Sequence, residues 1–302
     1  MFKPSYLKLY ESGELDGRIA RLYKILESCE LCPRRCGVNR LGGKKGYCRS
    51  GMELTISSYG PHFGEEPEIT GRNGSGTIFL TNCNLLCIFC QNYKISHLGY
   101  GEEVSIDEAA EIMLSLQSRG CHNINLVTPT HYTPQLVKTI FVAAERGLKL
   151  PIFWNCSGYE NVETIKLLDG IVDIYKPDMK YGESEPAKKY SNAPDYFERC
   201  KEAVGEMHRQ VGDLKVNEKG IAYRGLLIRH LVLPNNLAGS EKVLEFVAEL
   251  SKECYVNIMN QYRPCGRACE YEELSRRATS TEYFRMVDYA MKLGLHRGFS
   301  AP

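Results

Sequence analysis

From residue 75 onward, short apolar runs alternate with longer stretches in which apolar residues recur every three to four positions. Residues 75–80 are short, apolar, rich in β-formers and preceded by glycines, which predicts a buried strand. The same reasoning predicts strands at 123–128, 151–155, 171–175, 226–233 and 255–259. Helical patterns fill the gaps. Ser105 with Glu108 makes a capping box ahead of a stripe of Ile106, Ala109, Ile112, Met113 and Leu116 that stops at Gly120. Further helices are predicted over 134–146, around Val162, Ile165 and Leu168, from Asp195 through Val211, over 240–250, and from Thr279 to Gly294. Six strands alternating with helices imply a parallel sheet with helices outside. Right-handed crossovers curl such a sheet into a barrel or partial barrel.

The first 74 residues follow a different pattern. Leu15, Ile19, Leu22 and Ile25 share one face of a helix predicted over 15–28. Cys29, Cys32, Cys36 and Cys48 follow on a glycine-rich loop, spaced C-x2-C-x3-C-x11-C. Four thiols so spaced, with little other core, suit a closed structural site for zinc or an iron–sulfur cluster. Arg34, Arg35 and Arg49 stand among them, either stabilising thiolates or facing solvent. Residues 51–74 are turn-rich and are expected to be a connector. The expected division is 1–74 as helix, cysteine-rich metal-binding extension and connector, and 75–302 as barrel with a C-terminal helix.

Composition narrows the class. The chain has 302 residues, 43% hydrophobic and 25% charged, as in ordinary globular proteins. A net charge of +1 gives no electrostatic footprint for nucleic acid or membrane. No apolar run approaches the roughly 20 residues of a membrane span, and the N-terminus lacks a signal-peptide core. A cytoplasmic location is therefore expected, where 13 cysteines point to metal binding rather than disulfides.

The chemistry is expected where the first barrel strand ends. Cys83, Cys87 and Cys90 follow it at once, spaced C-x3-C-x2-C. Three thiolates leave one coordination position open, as a catalytic metal site needs. The run from Cys83 to Asn92, Cys-Asn-Leu-Leu-Cys-Ile-Phe-Cys-Gln-Asn, resembles the radical S-adenosylmethionine (SAM) superfamily, and within it the branch related to pyruvate formate-lyase activating enzyme. The resemblance covers about residues 75–265 and favours an α/β fold of partial (β/α)6 barrel type. It implies that Cys83, Cys87 and Cys90 hold a [4Fe-4S] cluster whose fourth iron is chelated by SAM. One electron, from a reductant such as flavodoxin or ferredoxin, then yields a 5′-deoxyadenosyl radical. It also suggests a glycine in a partner protein as the substrate; the alternatives are radical SAM modification of a small molecule or peptide, and an iron–sulfur redox protein that binds no SAM.

In α/β barrels reactive groups gather at the C-terminal ends of strands. Here those ends read Thr128-Pro129-Thr130-His131, Asn155-Cys156-Ser157-Gly158, Lys176-Pro177-Asp178-Met179-Lys180 and Asn260-Gln261-Tyr262-Arg263, with Arg229-His230 inside the fifth strand. By resemblance, the Asn155–Ser157 and Asp178–Lys180 pieces are SAM-contacting turns and Arg229 is the fifth-strand arginine. Lys180 and Arg229 are then donors to a SAM carboxylate. Asn155 and Ser157 hydrogen-bond ribose or amine, and Phe89 packs near adenine. Arg229 paired with Asp178 is the structural alternative. Many relatives place Gly-Gly-Glu after the second strand; this chain does not, so Thr128 or Thr130 is expected to make the methionyl contact. His131 and His230 are either proton shuttles or satisfied barrel histidines. Cys265 and Cys269 either join Cys254 or a thiol of the N-terminal region, help bind a second cluster, or face solvent, while Cys121, Cys156 and Cys200 read as packing residues.

Overall fold

The structure is a computed structural model that describes residues 2–299. Nine strands form its sheets: β1 (Leu54–His62), β2 (Ser75–Leu80), β3 (Glu102–Val104), β4 (Ile124–Val127), β5 (Ile152–Cys156), β6 (Ile174–Pro177), β7 (Lys215–Val216), β8 (Ala222–Leu231) and β9 (Tyr255–Met259). The six anticipated strands are β2, β4, β5, β6, β8 and β9. They pair in parallel in chain order, with register Ile78↔Leu126, Leu126↔Trp154, Trp154↔Tyr175, Tyr175↔Leu226 and Ile228↔Val256. β2, β4, β5 and β6 bury nearly every residue, because helices cover the outside and side chains fill the inside, while β8 and β9 leave several residues half-buried. The fold is the expected α/β partial barrel with a cysteine-rich N-terminal region.

The helices form where periodicity and caps place them. Ile106–Ser118 begins at the Ser105–Glu108 capping box and Ser280–Lys292 at a second box of Thr279 and Glu282. The N-terminal helix runs over Glu14–Lys24 and tightens into a 3-10 turn at Ile25–Ser28, burying Leu15, Ile19, Leu22 and Leu26. One strand lies later than expected. Ile171 and Val172 are core residues of the turn after helix Val162–Leu167, and β6 starts at Ile174. Apolarity alone does not separate a buried turn from a buried strand.

The larger correction concerns residues 51–74. They are not a simple connector. β1 pairs antiparallel with β2 through Tyr59↔Ile78, and β3 pairs antiparallel with β1 through Thr55↔Glu103, so the sheet is mixed. Alternation is weak there because only Leu54 and Ile56 of β1 are buried. The chain after β1 then packs Ile69 against Phe153, Ile174 and Leu227 of β5, β6 and β8. Asn123 donates to Ile69 O at 3.1 Å, Asn257 donates to Glu66 at 2.8 Å, and the Tyr255 hydroxyl donates to Glu68 at 2.9 Å. Polar side chains of β9 and of the approach to β4 thus hold this segment against the parallel strands. Tyr6, Leu15, Leu22, Leu54 and Ile56 share one core with the barrel, so the extension is packed into it.

Candidate active site

β2 ends at Leu80 and the chain turns at once into the three-cysteine loop, with Asn82 (φ 64) and Leu86 (φ 56) in the left-handed region. These turns set the thiols at the C-terminal mouth of the barrel. Ile88 N–H donates to Tyr190 O at 2.9 Å, and Arg267 N–H donates to Ile88 O at 2.8 Å. A Cβ on Gly266 (φ +56) would lie 2.5 Å from Ile88 O, so the Cys265–Cys269 stretch lies close over this loop. Cys254 precedes β9 and sits beside His208 and Asp213 instead, at the other end of that strand from Cys265.

The mouth holds a cavity of about 360 Å³, the size of a small-ligand site. Cys83, Cys87 and Cys90 line it. So do Phe89, Thr128, Asn155, Ser157, Asp178, Lys180 and Arg229, contributed by five different strand ends. The structure therefore brings the three thiols and all seven expected cofactor contacts around one space. Phe89 is fixed edge-on between Tyr181 and Tyr262. Thr128 has φ 61, a costly conformation for a β-branched residue, and its N–H donates to Asn155 O at 2.8 Å. This chain thus makes with threonine, after its second barrel strand, the kind of backbone turn that glycine makes easily.

Charge in the cavity is organised by Asp178. Its carboxylate accepts from Arg229 Nε at 2.7 Å and from Lys180 Nζ at 2.6 Å. Burial works against ionising Asp178, but the charges of Arg229 and Lys180 outweigh it and hold the carboxyl well below its usual range. Burial likewise opposes the Lys180 charge, and Asp178 and the Cys87 sulfur hold it protonated. Arg229 is further occupied by Asn155 Oδ1 at 3.1 Å and Glu65 at 3.6 Å. The pairing of Arg229 with Asp178 is therefore present, and the donors of Arg229 are largely committed to protein. Lys180 keeps N–H donors beyond its one bond.

Glu65 is a residue the sequence did not single out. It comes from the segment after β1, pairs with the buried Lys176, and accepts from Asn125 at 3.0 Å. Burial opposes its ionisation, yet Lys176 and Arg229 keep it charged. Only its Glu-Glu-Pro setting after a short turn could have hinted at this. His230 is fully satisfied by Met179 O and Ser240 Oγ, both at 2.7 Å. His131 bonds Thr81 O through Nε2 at 2.8 Å but leaves buried Nδ1 without a partner.

Burial pushes the Cys83 thiol up to about 12 and raises Cys87 as well. Metal ligation must therefore supply the free energy for deprotonating both. Cys83, Cys87 and Cys90 do not all place their sulfurs within 4.8 Å of one another. A tetrahedral zinc, with bonds of about 2.3 Å, draws its sulfurs to about 3.8 Å. The donor set fits a larger group whose thiolates sit on different irons.

These features define an iron–sulfur α/β enzyme with its site at the strand ends. Residues 77–220 match the radical SAM superfamily, and the chain belongs to that superfamily, which implies a [4Fe-4S] cluster and SAM. The chain is 32% identical over 299 residues to the uncharacterized protein MJ0674 of Methanocaldococcus jannaschii, covering 96% of this chain and 82% of that one. A second protein of that organism, the uncharacterized MJ0808, is 25% identical over 207 residues, covering 61% of this chain and 60% of the relative. Among solved structures, a radical SAM methyltransferase from Sphaerobacter thermophilus aligns with a TM-score of 0.49 at 15% identity, over 74% of this chain and 65% of that one. A likeness that remote says nothing about the substrate. Among the described residues no helix is long and apolar enough to cross a membrane.

Proposed function

We propose that this enzyme reductively cleaves SAM and abstracts a hydrogen atom from a second substrate. When bound, the cluster and SAM supply a 5′-deoxyadenosyl radical from one added electron. The observation that carries the reading is the convergence of Cys83, Cys87 and Cys90 with a charged, polar wall on one cavity. Cys83, Cys87 and Cys90 hold the irons. Lys180 directs its free donors to the SAM carboxylate, Asp178 and Arg229 fix Lys180 in place, and Asn155 and Ser157 orient the remaining polar groups. Phe89 supplies an apolar wall that excludes water. Cys265–Cys269 backs the loop against displacement.

The resemblance of the three-cysteine loop to activating enzymes supports a glycine of a partner protein as the hydrogen donor. The test is anaerobic turnover with SAM, dithionite and deuterated candidate substrates. Deuterium from a peptidyl glycine should enter 5′-deoxyadenosine. Transfer from a free small molecule instead would overturn the partner reading, and no 5′-deoxyadenosine at all would overturn the reaction.

A further inference from the structure

We infer that Cys29, Cys32, Cys36 and Cys48 hold a second, four-iron cluster that takes electrons from an acidic carrier protein and passes them to the catalytic site. Residues 29–53 contain no helix or strand, and their satellite core is small, centred on Leu26, Cys29 and Leu31. So long an irregular stretch inside a compact fold needs another source of order. All four thiols line one small closed space. Cys29, Cys32 and Cys48 are each 8% exposed and Cys36 is half-buried. The Tyr47 N–H donates to Cys36 Sγ at 3.3 Å, and a Cβ on Gly46 would lie 2.8 Å from Cys36 Cβ.

A histidine also lines this space. His131, 1% exposed, lines it with the four cysteines and carries the unpartnered Nδ1, while Nε2 is fixed on Thr81 O. The size of the ligand follows from the sulfurs. No three of the four lie within 4.8 Å of one another, too open for one tetrahedral zinc at about 3.8 Å between sulfurs. Four thiolates each on its own iron suit the wider spacing.

Two features assign this cluster to electron entry. The first is contact with the catalytic loop. Arg34, between Cys32 and Cys36, donates Nε to Asn84 O at 3.0 Å and Nη2 to Leu85 O at 3.4 Å. Asn84 and Leu85 lie between Cys83 and Cys87, and Asn82 donates to Ser50 Oγ at 3.3 Å. The second is charge. From Leu31 to Met52 there are six cations (Arg34, Arg35, Arg40, Lys44, Lys45 and Arg49) and no carboxylate, in a chain of net charge +1. Arg35, Lys44, Lys45 and Arg49 are exposed, so the loop presents a basic face to an acidic flavodoxin- or ferredoxin-class donor. One electron leaves the reduced carrier, enters here and moves to the group on Cys83, Cys87 and Cys90; no bond forms or breaks in the transfer.

The electron-entry role rests on the function proposed above, whereas the cluster itself does not. The first measurement is metal analysis of anaerobically reconstituted C83A/C87A/C90A protein. It should retain about four irons and four sulfides per chain. One zinc, or no metal, overturns the cluster. The second is the rate at which reduced flavodoxin bleaches the visible absorption of the clusters, read without SAM. R35E/K44E/K45E should slow it at least about tenfold, with dithionite reduction unchanged. C29S/C32S, retaining only the catalytic cluster, should slow flavodoxin reduction of that cluster similarly. Unchanged flavodoxin rates in either variant overturn the relay. Failure of the wild-type enzyme to make 5′-deoxyadenosine with dithionite would instead overturn the proposed function alone.

Discussion

Two sets of cysteines lie side by side in this protein and solve opposite problems. Cys83, Cys87 and Cys90 hang from the end of β2, a strand buried on both faces, and look into a cavity of about 360 Å³ with charged walls. Cys29, Cys32, Cys36 and Cys48 hang from no regular element and enclose a small space of their own. The first set has one thiol too few for its cluster and room for a ligand. The second has a full complement and no room. Rigid support with an incomplete ligand set is what a reacting centre needs, since the scaffold holds geometry while SAM completes the shell. A complete set on an irregular loop reverses the dependence, because there the bound group holds the scaffold.

The sharpest test of that comparison removes the open set. C83A/C87A/C90A should abolish 5′-deoxyadenosine formation below detection while the N-terminal loop stays ordered, checked by limited proteolysis within residues 29–53. Undiminished product would break the assignment of chemistry to this loop.

Arg229 and Lys180 distinguish support from ligand contact within the open site. Arg229→Ala leaves Asp178 and Glu65 short of a buried partner and should cost about 3 kcal/mol of stability, read from anaerobic denaturant unfolding. A stability loss below about 0.5 kcal/mol would show that the ion pairs are not structural.

Glu160 tests the packing between the two regions. Its carboxyl is buried, accepts from Thr130 Oγ1 at 2.5 Å, and is pushed up to about 8 by burial, which the bonds from Thr130 and Cys156 only partly offset. The folded state thus binds a proton that the unfolded state releases near pH 4.5. That contribution is complete below the unfolded value and is lost as pH rises through about 8. Between pH 5 and 8 wild type should lose about 2–4 kcal/mol relative to Glu160→Gln. Parallel pH profiles for the two proteins would contradict the raised value.

The smallest expected effect is on SAM itself. Lys180→Ala removes a charged donor from a desolvated site, at about 1.5–3 kcal/mol, or roughly ten- to hundred-fold in SAM affinity. Iron content should be unchanged, since Lys180 ligates nothing. Wild-type affinity in this variant would assign Lys180 to fixing Asp178 only.

Local patterns determined much of this molecule. Six barrel strands, their order, the Ser105–Glu108 capping box and the spacing of both cysteine sets depend on residues near one another in sequence, and each was legible there. β1 was not, because a strand buried at only two positions carries hardly any alternation. The same holds for the polar interior. That Arg229 meets Asp178, that Glu65 reaches Lys176 from a segment outside the barrel strands, and that His131 lines one space with four thiols distant in sequence are outcomes of register and packing. Charged and thiol side chains look alike in sequence whether they end in water or in a cavity. Only the tertiary structure decided which of them were buried together, because desolvation makes a buried charge or donor costly until a particular partner arrives from elsewhere in the chain.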